Sequence, residues 1–234
     1  MYDRALQALV KLGMEPEWEA LFEPNSYGFR PGGSTHDAIE AIYASINKKP
    51  KYVLDADISK CFDRINHDAL LRKIGKSPYR RLIRQWLKSG VFDNKQFSNT
   101  MEGTPQGGVI SPLLANIALH GMEKCLEEYA ETLPGIKPNN KQALSLIRYP
   151  DDFVILHKDI KVLLQAKTVI QEWLNQIGLE LKPEKTKIAH TLDEYEGNKP
   201  GFDFLGFTIR QWKVKTTKQG FKTLIKPSSK SIKT

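Results

Sequence analysis

The sequence predicts an α+β domain, and three observations carry that prediction. Residues 144–157 hold two apolar, β-rich runs that meet at Tyr149-Pro150-Asp151-Asp152, the pattern of an antiparallel hairpin. Residues 52–58 alternate as a strand should, with Val53, Asp55 and Asp57 on one face and Leu54, Ala56 and Ile58 on the other. Val162, Leu163, Ala166, Val169, Ile170, Trp173, Leu174 and Ile177 then recur at helical spacing before Gly178, which defines a long amphipathic helix. At 234 residues and 40% hydrophobic content, the chain can bury a core as one large domain or two small ones.

In chain order, the first helix signal is Ser34-Thr35-His36-Asp37, a capping-box pattern ahead of Ile39, Ile42, Tyr43 and Ile46. After the strand at 52–58, Ser77-Pro78 is expected to open a helix carrying Leu82, Ile83, Trp86 and Leu87, and Gly90 to close it. Its polar face holds Arg80, Arg81, Arg84 and Lys88. Residues 103–108, Gly-Thr-Pro-Gln-Gly-Gly, read as a loop. Ser111-Pro112 then starts a single helix with Leu114, Ile117, Ala118, Gly121, Met122 and Cys125 along one stripe. The end of the chain reads as strands at 179–182, 184–190 and 202–209, followed by a hairpin through Gln219-Gly220.

Composition narrows the classes of function. Cys61 and Cys125 lie far apart without CxxC spacing, which argues against a zinc site or a disulfide framework and fits a reducing cytoplasm. No apolar run reaches the length of a membrane helix, so a soluble, membrane-free protein is expected. The net charge of +8 is concentrated after Asp203, where eight Lys or Arg residues occur with no acid. Interleaved with Phe207, Trp212 and Phe221, this stripe suits a nucleic acid better than a frayed tail. His36, His67, His120, His157 and His190 show no ligand spacing.

The paired carboxylates Asp151 and Asp152 at a rigid turn suit a divalent metal, although an isolated Asp-Asp is more often an ordinary solvated turn. Further blocks reverse that preference. Asn25-Ser26-Tyr27-Gly28-Phe29-Arg30-Pro31-Gly32, Asp57-Ile58-Ser59-Lys60-Cys61-Phe62-Asp63 with His67 following, and Gly103 to Pro112 occur in order. Tyr149 to Asp152, Gly178 to Lys187, and Phe204-Leu205-Gly206-Phe207 come next. Taken together, these six blocks resemble the reverse transcriptase domain of group II intron-encoded proteins.

The resemblance implies a right-hand polymerase palm, an antiparallel sheet backed by helices, over residues 51–234 with basic C-terminal strands, and a partial fingers region over residues 1–50. It implies an RNA-directed DNA polymerase that adds deoxynucleotides to a DNA primer on an RNA template, group II intron RNA. By the same resemblance Asp57, Asp151 and Asp152 are catalytic, and Asp57, Ile58, Asp151 and Asp152 hold two Mg2+ ions. Three crowded acids would otherwise repel one another. Asp55 is read as structural. Phe62 would exclude a 2′-hydroxyl by clash, Gln106 would support the nucleotide or template, and Lys185 would approach the triphosphate. Phe204, Leu205 and Gly206 would grip the primer's end, and Arg30 would help hold the template, a plain surface arginine being the alternative.

Two departures bear on activity. Pro150 stands where the family usually has a small residue, and proline fixes φ near −65° where a tight hairpin turn tends to need a positive φ. Either the turn takes an unprimed geometry that splays the strands, or the carboxylates shift, so severely reduced polymerisation is expected. The chain also starts just before the Tyr-Gly-Phe-Arg block and stops soon after Phe-Leu-Gly-Phe. The thumb, maturase and endonuclease regions are therefore expected to be absent, as in a decayed intron protein or one piece of a split gene whose partner chain supplies the rest. The alternatives are a non-catalytic RNA-binding remnant and, less favoured, a metal-dependent nuclease or phosphatase.

Overall fold

A computed structural model describes residues 2–88, 91–93, 96–98, 103, 108–229 and 231–232. The chain begins with α1 (Tyr2–Glu19) and α2 (Thr35–Ile46), then β1 (Tyr52–Asp57) and the helices α3 (Cys61–Arg64), α4 (His67–Ile74) and α5 (Arg80–Lys88). A short hairpin, β2 (Val91–Asp93) and β3 (Gln96–Ser98), precedes α6 (Ser111–Leu119), α7 (Met122–Thr132) and α8 (Lys137–Ala143). Next come β4 (Ser145–Tyr149), β5 (Asp152–His157), α9 (Ile160–Gln176), a 3-10 turn at Pro183–Lys185 and β6 (Lys187–His190). The chain closes with β7 (Phe202–Phe204), β8 (Phe207–Lys213) and β9 (Phe221–Pro227).

The main sheet has the order β4-β5-β1-β6 and is antiparallel throughout. Strand alternation divides the core between its two faces. Leu54, Ala56, Leu146, Phe153 and Ile155 join a cluster with residues of α1, α4, α5, α6 and α9. Val53, Ile147, Val154 and Leu156 join a second cluster with α2 and with Phe202, Phe204 and Ile209 of the β7-β8-β9 sheet. Each fully buried aliphatic side chain adds about 2 kcal/mol, and burial on both faces fixes the register, because a one-residue slip would exchange the clusters.

The capping box at Ser34 forms, with Asp37 Oδ2 accepting from the Ser34 amide at 2.8 Å. Ile39, Ile42 and Ile46 are buried, while Tyr43 faces solvent. The long helix appears as α9, and Gly178 follows it at φ +80°.

Other sequence expectations need correction. Pro78 lies in the turn before α5, which starts at Arg80, and Gly90 falls outside the described residues. The helix expected from Ser111 through Cys125 is two helices, α6 and α7, broken at Gly121 with φ +99°. Glu23 Oε1 accepts the Gly121 amide at 3.0 Å and the Lys124 amide at 3.1 Å, satisfying donors at the new helix start. Residues 202–209 form a hairpin rather than one strand. Phe204 pairs with Phe207 across Leu205 (φ +48°) and Gly206 (φ +82°), the two left-handed residues of a type I′ turn. The 184–190 strand shortens to β6 behind its 3-10 turn, and the 179–182 segment keeps one bridge, Leu181 to Ile58. Helix α1 was not anticipated, although Val10, Met14 and Trp18 recur every four residues on its buried face.

Candidate active site

Strand pairing brings the three acids to one end of the sheet. Asp57 closes β1 and Asp152 opens β5, and the two are register partners. Asp151 lies in the turn between β4 and β5, where its carbonyl accepts the Ile58 amide at 3.1 Å. The Asp57 carbonyl accepts the Lys182 amide at 2.8 Å, which draws the segment ahead of Lys185 against the strand end. Lys185 Nζ reaches Asp57 Oδ2 in an ion pair.

The electrostatics follow from burial and crowding. Burial pushes the Asp152 carboxyl up to about 6, and repulsion from Asp151 and Asp57 adds to it. Asp151 is raised by burial and by Asp57, with Lys185 and Arg148 opposing. Asp55 is pushed up to about 7 by burial and by Asp152, and Lys185 is held above its ordinary value by the hydrogen bond it donates to Asp57. Among the described residues, no group of three or more His, Cys, Asp or Glu side chains is arranged to hold a metal ion. The donor set nevertheless has the chemistry of one: burial disfavours ionisation of Asp151 and Asp152, and Asp57 beside them already draws the Lys185 ammonium.

Two openings flank this carboxylate edge. A cleft of about 590 Å3 is lined by Asp57, Ile58, Lys60, Phe62, Asp151 and Lys185, among others. Lys60, in the left-handed region at φ +45°, turns the chain into α3 and so presents Phe62, whose ring meets Phe29 edge-on at 5.9 Å. Burial pushes the adjacent Cys61 thiol up to about 12, leaving it without thiolate chemistry. A second opening of about 780 Å3 is lined by Asp57, Asp152, Lys185, Phe204, Leu205 and Arg210, among others. Phe204 itself is buried, and the Gly206 carbonyl accepts from the Ser228 amide and from Ser231 Oγ.

The turn at Pro150 is resolved without splaying. Neither Pro150 nor Asp151 has a positive φ, so the geometry is unprimed, yet the ladder runs unbroken from Tyr149 and Asp152 to Ser145 and Leu156. Support comes from below. Arg148, 1% exposed, donates from Nη1 to the Pro150 carbonyl at 2.9 Å and to Asn116 Oδ1 at 3.2 Å, and from Nη2 to Ser26 Oγ at 2.5 Å. Asn116 Nδ2 donates to the Gly28 carbonyl at 2.8 Å. A Cβ on Gly28 would stand 2.7 Å from the Pro150 ring and nitrogen, so this position has no room for a side chain.

Of the residues expected at the site, Asp57, Ile58, Phe62, Asp151 and Lys185 line one cleft, and Asp152, Phe204 and Leu205 line the neighbouring one. Arg30 stands elsewhere: its Nε pairs with Glu19 at 2.9 Å, and Nη1 donates to the Glu23 and Ser26 carbonyls. Gln106 lies outside the described residues. Sequence reasoning missed the Arg148–Asn116–Ser26 network, although an arginine inside the apolar run Leu146-Ile147-Arg148-Tyr149 signals a buried, bonded cation.

Comparison with known proteins agrees with this fold. The family described as reverse transcriptase (RNA-dependent DNA polymerase) matches residues 1–209. Protein YkfC of Escherichia coli K12 is 33% identical, covering 88% of this chain and 60% of its own length. The group II intron-encoded protein LtrA of Lactococcus lactis subsp. cremoris is 31% identical, covering 94% of this chain and 45% of its own length. The chain thus spans about half the length of the curated relatives it matches. Apo telomerase from Candida Tropicalis, truncated from the C-terminal domain, shares the fold with a TM-score of 0.65 at 16% identity over 96% of this chain and 44% of that one. The chain belongs to the reverse transcriptase family and forms a reverse transcriptase domain of the group II intron maturase type.

Proposed function

We propose that this chain extends a DNA primer on an RNA template, with Asp57, Asp151 and Asp152 as the catalytic carboxylates. The observation that carries this reading is the register pairing of Asp57 with Asp152, beside Asp151, at the edge of a cleft that also holds Phe62 and Lys185. Divalent ions at these carboxylates and Ile58, two Mg2+ in this reading, would lower the pKa of the primer 3′-hydroxyl and neutralise charge on the leaving pyrophosphate. The protein's own part is positioning. Lys185, freed from Asp57, meets the triphosphate, and Phe62 closes the floor of the cleft against a 2′-hydroxyl. Gln106 supports the nucleotide or template, Phe204 and Leu205 face the primer from the second opening, and Gly206 completes their turn. Arg30 acts on the template by bracing the Ser26 segment, since its guanidinium is bonded to Glu19 and to the Glu23 and Ser26 carbonyls.

Pro150 makes this a slow enzyme in the same reading, because an unprimed turn displaces Asp151 from the position a primed turn would give it; a shift of about 1 Å costs on the order of 100-fold. The test is Mg2+-dependent extension of a DNA primer on RNA by the parent, Pro150→Ala and Asp151→Asn. The expected order is Pro150→Ala faster than the parent, with Asp151→Asn silent. Extension that survives Asp151→Asn would remove the catalytic assignment, and silence in all three would leave RNA binding as the function.

A further inference from the structure

At the end of the sheet opposite the carboxylates lies a groove of about 630 Å3, bounded by α2, α8 and the β4 edge. Along β1 it is about 20 Å from Asp57 at 3.3 Å per residue. Lys48, Lys49, Lys51 and Lys158 line it, and no acid does. Among the described residues, none of these four lysines forms an ion pair.

Lys51 sets this groove apart from a solvated basic face. It is 8% exposed, and its Nζ donates to Ser45 Oγ and to the Ala143 carbonyl, both at 2.9 Å. An ammonium has three donors, so one remains for a ligand. Burial alone pulls its pKa down to about 8, with no carboxylate raising it. A buried cation without a counter-ion is costly to fold, and an anion entering the groove offsets that cost. The neighbouring neutral groups, Asn139, Gln142 and Ser145, match sugar hydroxyls and phosphate oxygens.

We propose that this groove binds the phosphate backbone of an RNA strand, with Lys51 as the buried seat for one phosphate and Lys48, Lys49 and Lys158 contacting the phosphates on either side. A single free phosphate would need one or two of these cations, whereas four lysines lining one groove match a repeating anion. The choice of RNA rests on the polymerase reading, but the phosphate site does not depend on catalysis.

The test is binding of a fluorescent single-stranded RNA to the full chain across a KCl series, without nucleotides or Mg2+. Lys51→Met and the triple Lys48→Ala/Lys49→Ala/Lys158→Ala are compared with a control triple, Lys76→Ala/Lys161→Ala/Lys167→Ala, which loses the same charge outside the groove. Each lost phosphate contact lowers the slope of log K against log[KCl] by about 0.7. The expectation is several-fold weaker binding and a slope lower by about 0.7 for Lys51→Met and about 2 for the groove triple, with the control near the parent. Equal losses in the groove and control triples overturn the site. Competition by inorganic phosphate without a change in RNA slope overturns the RNA assignment in favour of a small-anion pocket, and stronger binding of single-stranded DNA than of RNA overturns it in favour of DNA. The rim lysines are exposed, so the triple remains readable if Lys51→Met fails to fold.

Discussion

Asp55 shows how one buried carboxyl shapes this site. It sits one strand period before Asp57 and faces Asp152, Lys187 and Asp203, and its carboxyl is pushed up to about 7. Between the ordinary carboxylate value of about 4 and pH 7 the folded chain keeps a proton that the unfolded chain has lost. Stability from that proton is complete below the lower value and is lost as pH rises through the upper one. Asp55→Asn does not titrate, so in EDTA it should match the parent near pH 4 and exceed it by about 4 kcal/mol at pH 8. Urea midpoints at the two pH values measure this, and an equal gap at both would show that Asp55 does not titrate in that window. Asp57, Asp151 and Asp152 were singled out in the sequence by the family resemblance, with a turn and an alternating strand giving only their local setting. Arg148 was not, because its partners Ser26, Asn116 and the Pro150 carbonyl come from three separate segments.

At the scale of elements, helices and strands read well where a stripe is continuous and poorly where a tertiary partner edits it. Helix α9 and the hairpin of β4 and β5 came directly from periodicity. The break between α6 and α7 did not, since the apolar stripe runs through Gly121 and the carboxylate that stabilises the break is nearly a hundred residues away. Glu23→Ala removes the acceptor for two amides at the start of α7. It should cost about 1 kcal/mol, seen as a fall of about 2–4 °C in Tm, and Glu23→Gln should recover most of it. An unchanged Tm in Glu23→Ala would mean that packing alone sets the break. The Leu205-Gly206 turn was missed for a related reason: aromatic residues on both sides read as one strand, although a left-handed pair reverses the chain between them.

Over the whole molecule, the sheet acts as a plate with a core on each face, a carboxylate edge at one end and a basic groove at the other. If the carboxylate edge holds Mg2+, the ion binds the folded chain and raises Tm by mass action. The expectation is a rise with Mg2+ concentration in the parent, at constant ionic strength, and a much smaller one in Asp151→Asn; equal rises would place the ion elsewhere. By itself the sequence determined the α+β class, since strand and helix periods and turn residues are local properties of the chain, and its six ordered motifs pointed to the family and to the acids that meet. Only the tertiary structure decided where a helix stops, which guanidinium holds the Pro150 turn and which lysine is buried without a counter-ion. Those features depend on groups far apart in the chain, and their energies arise when the fold removes them from water together.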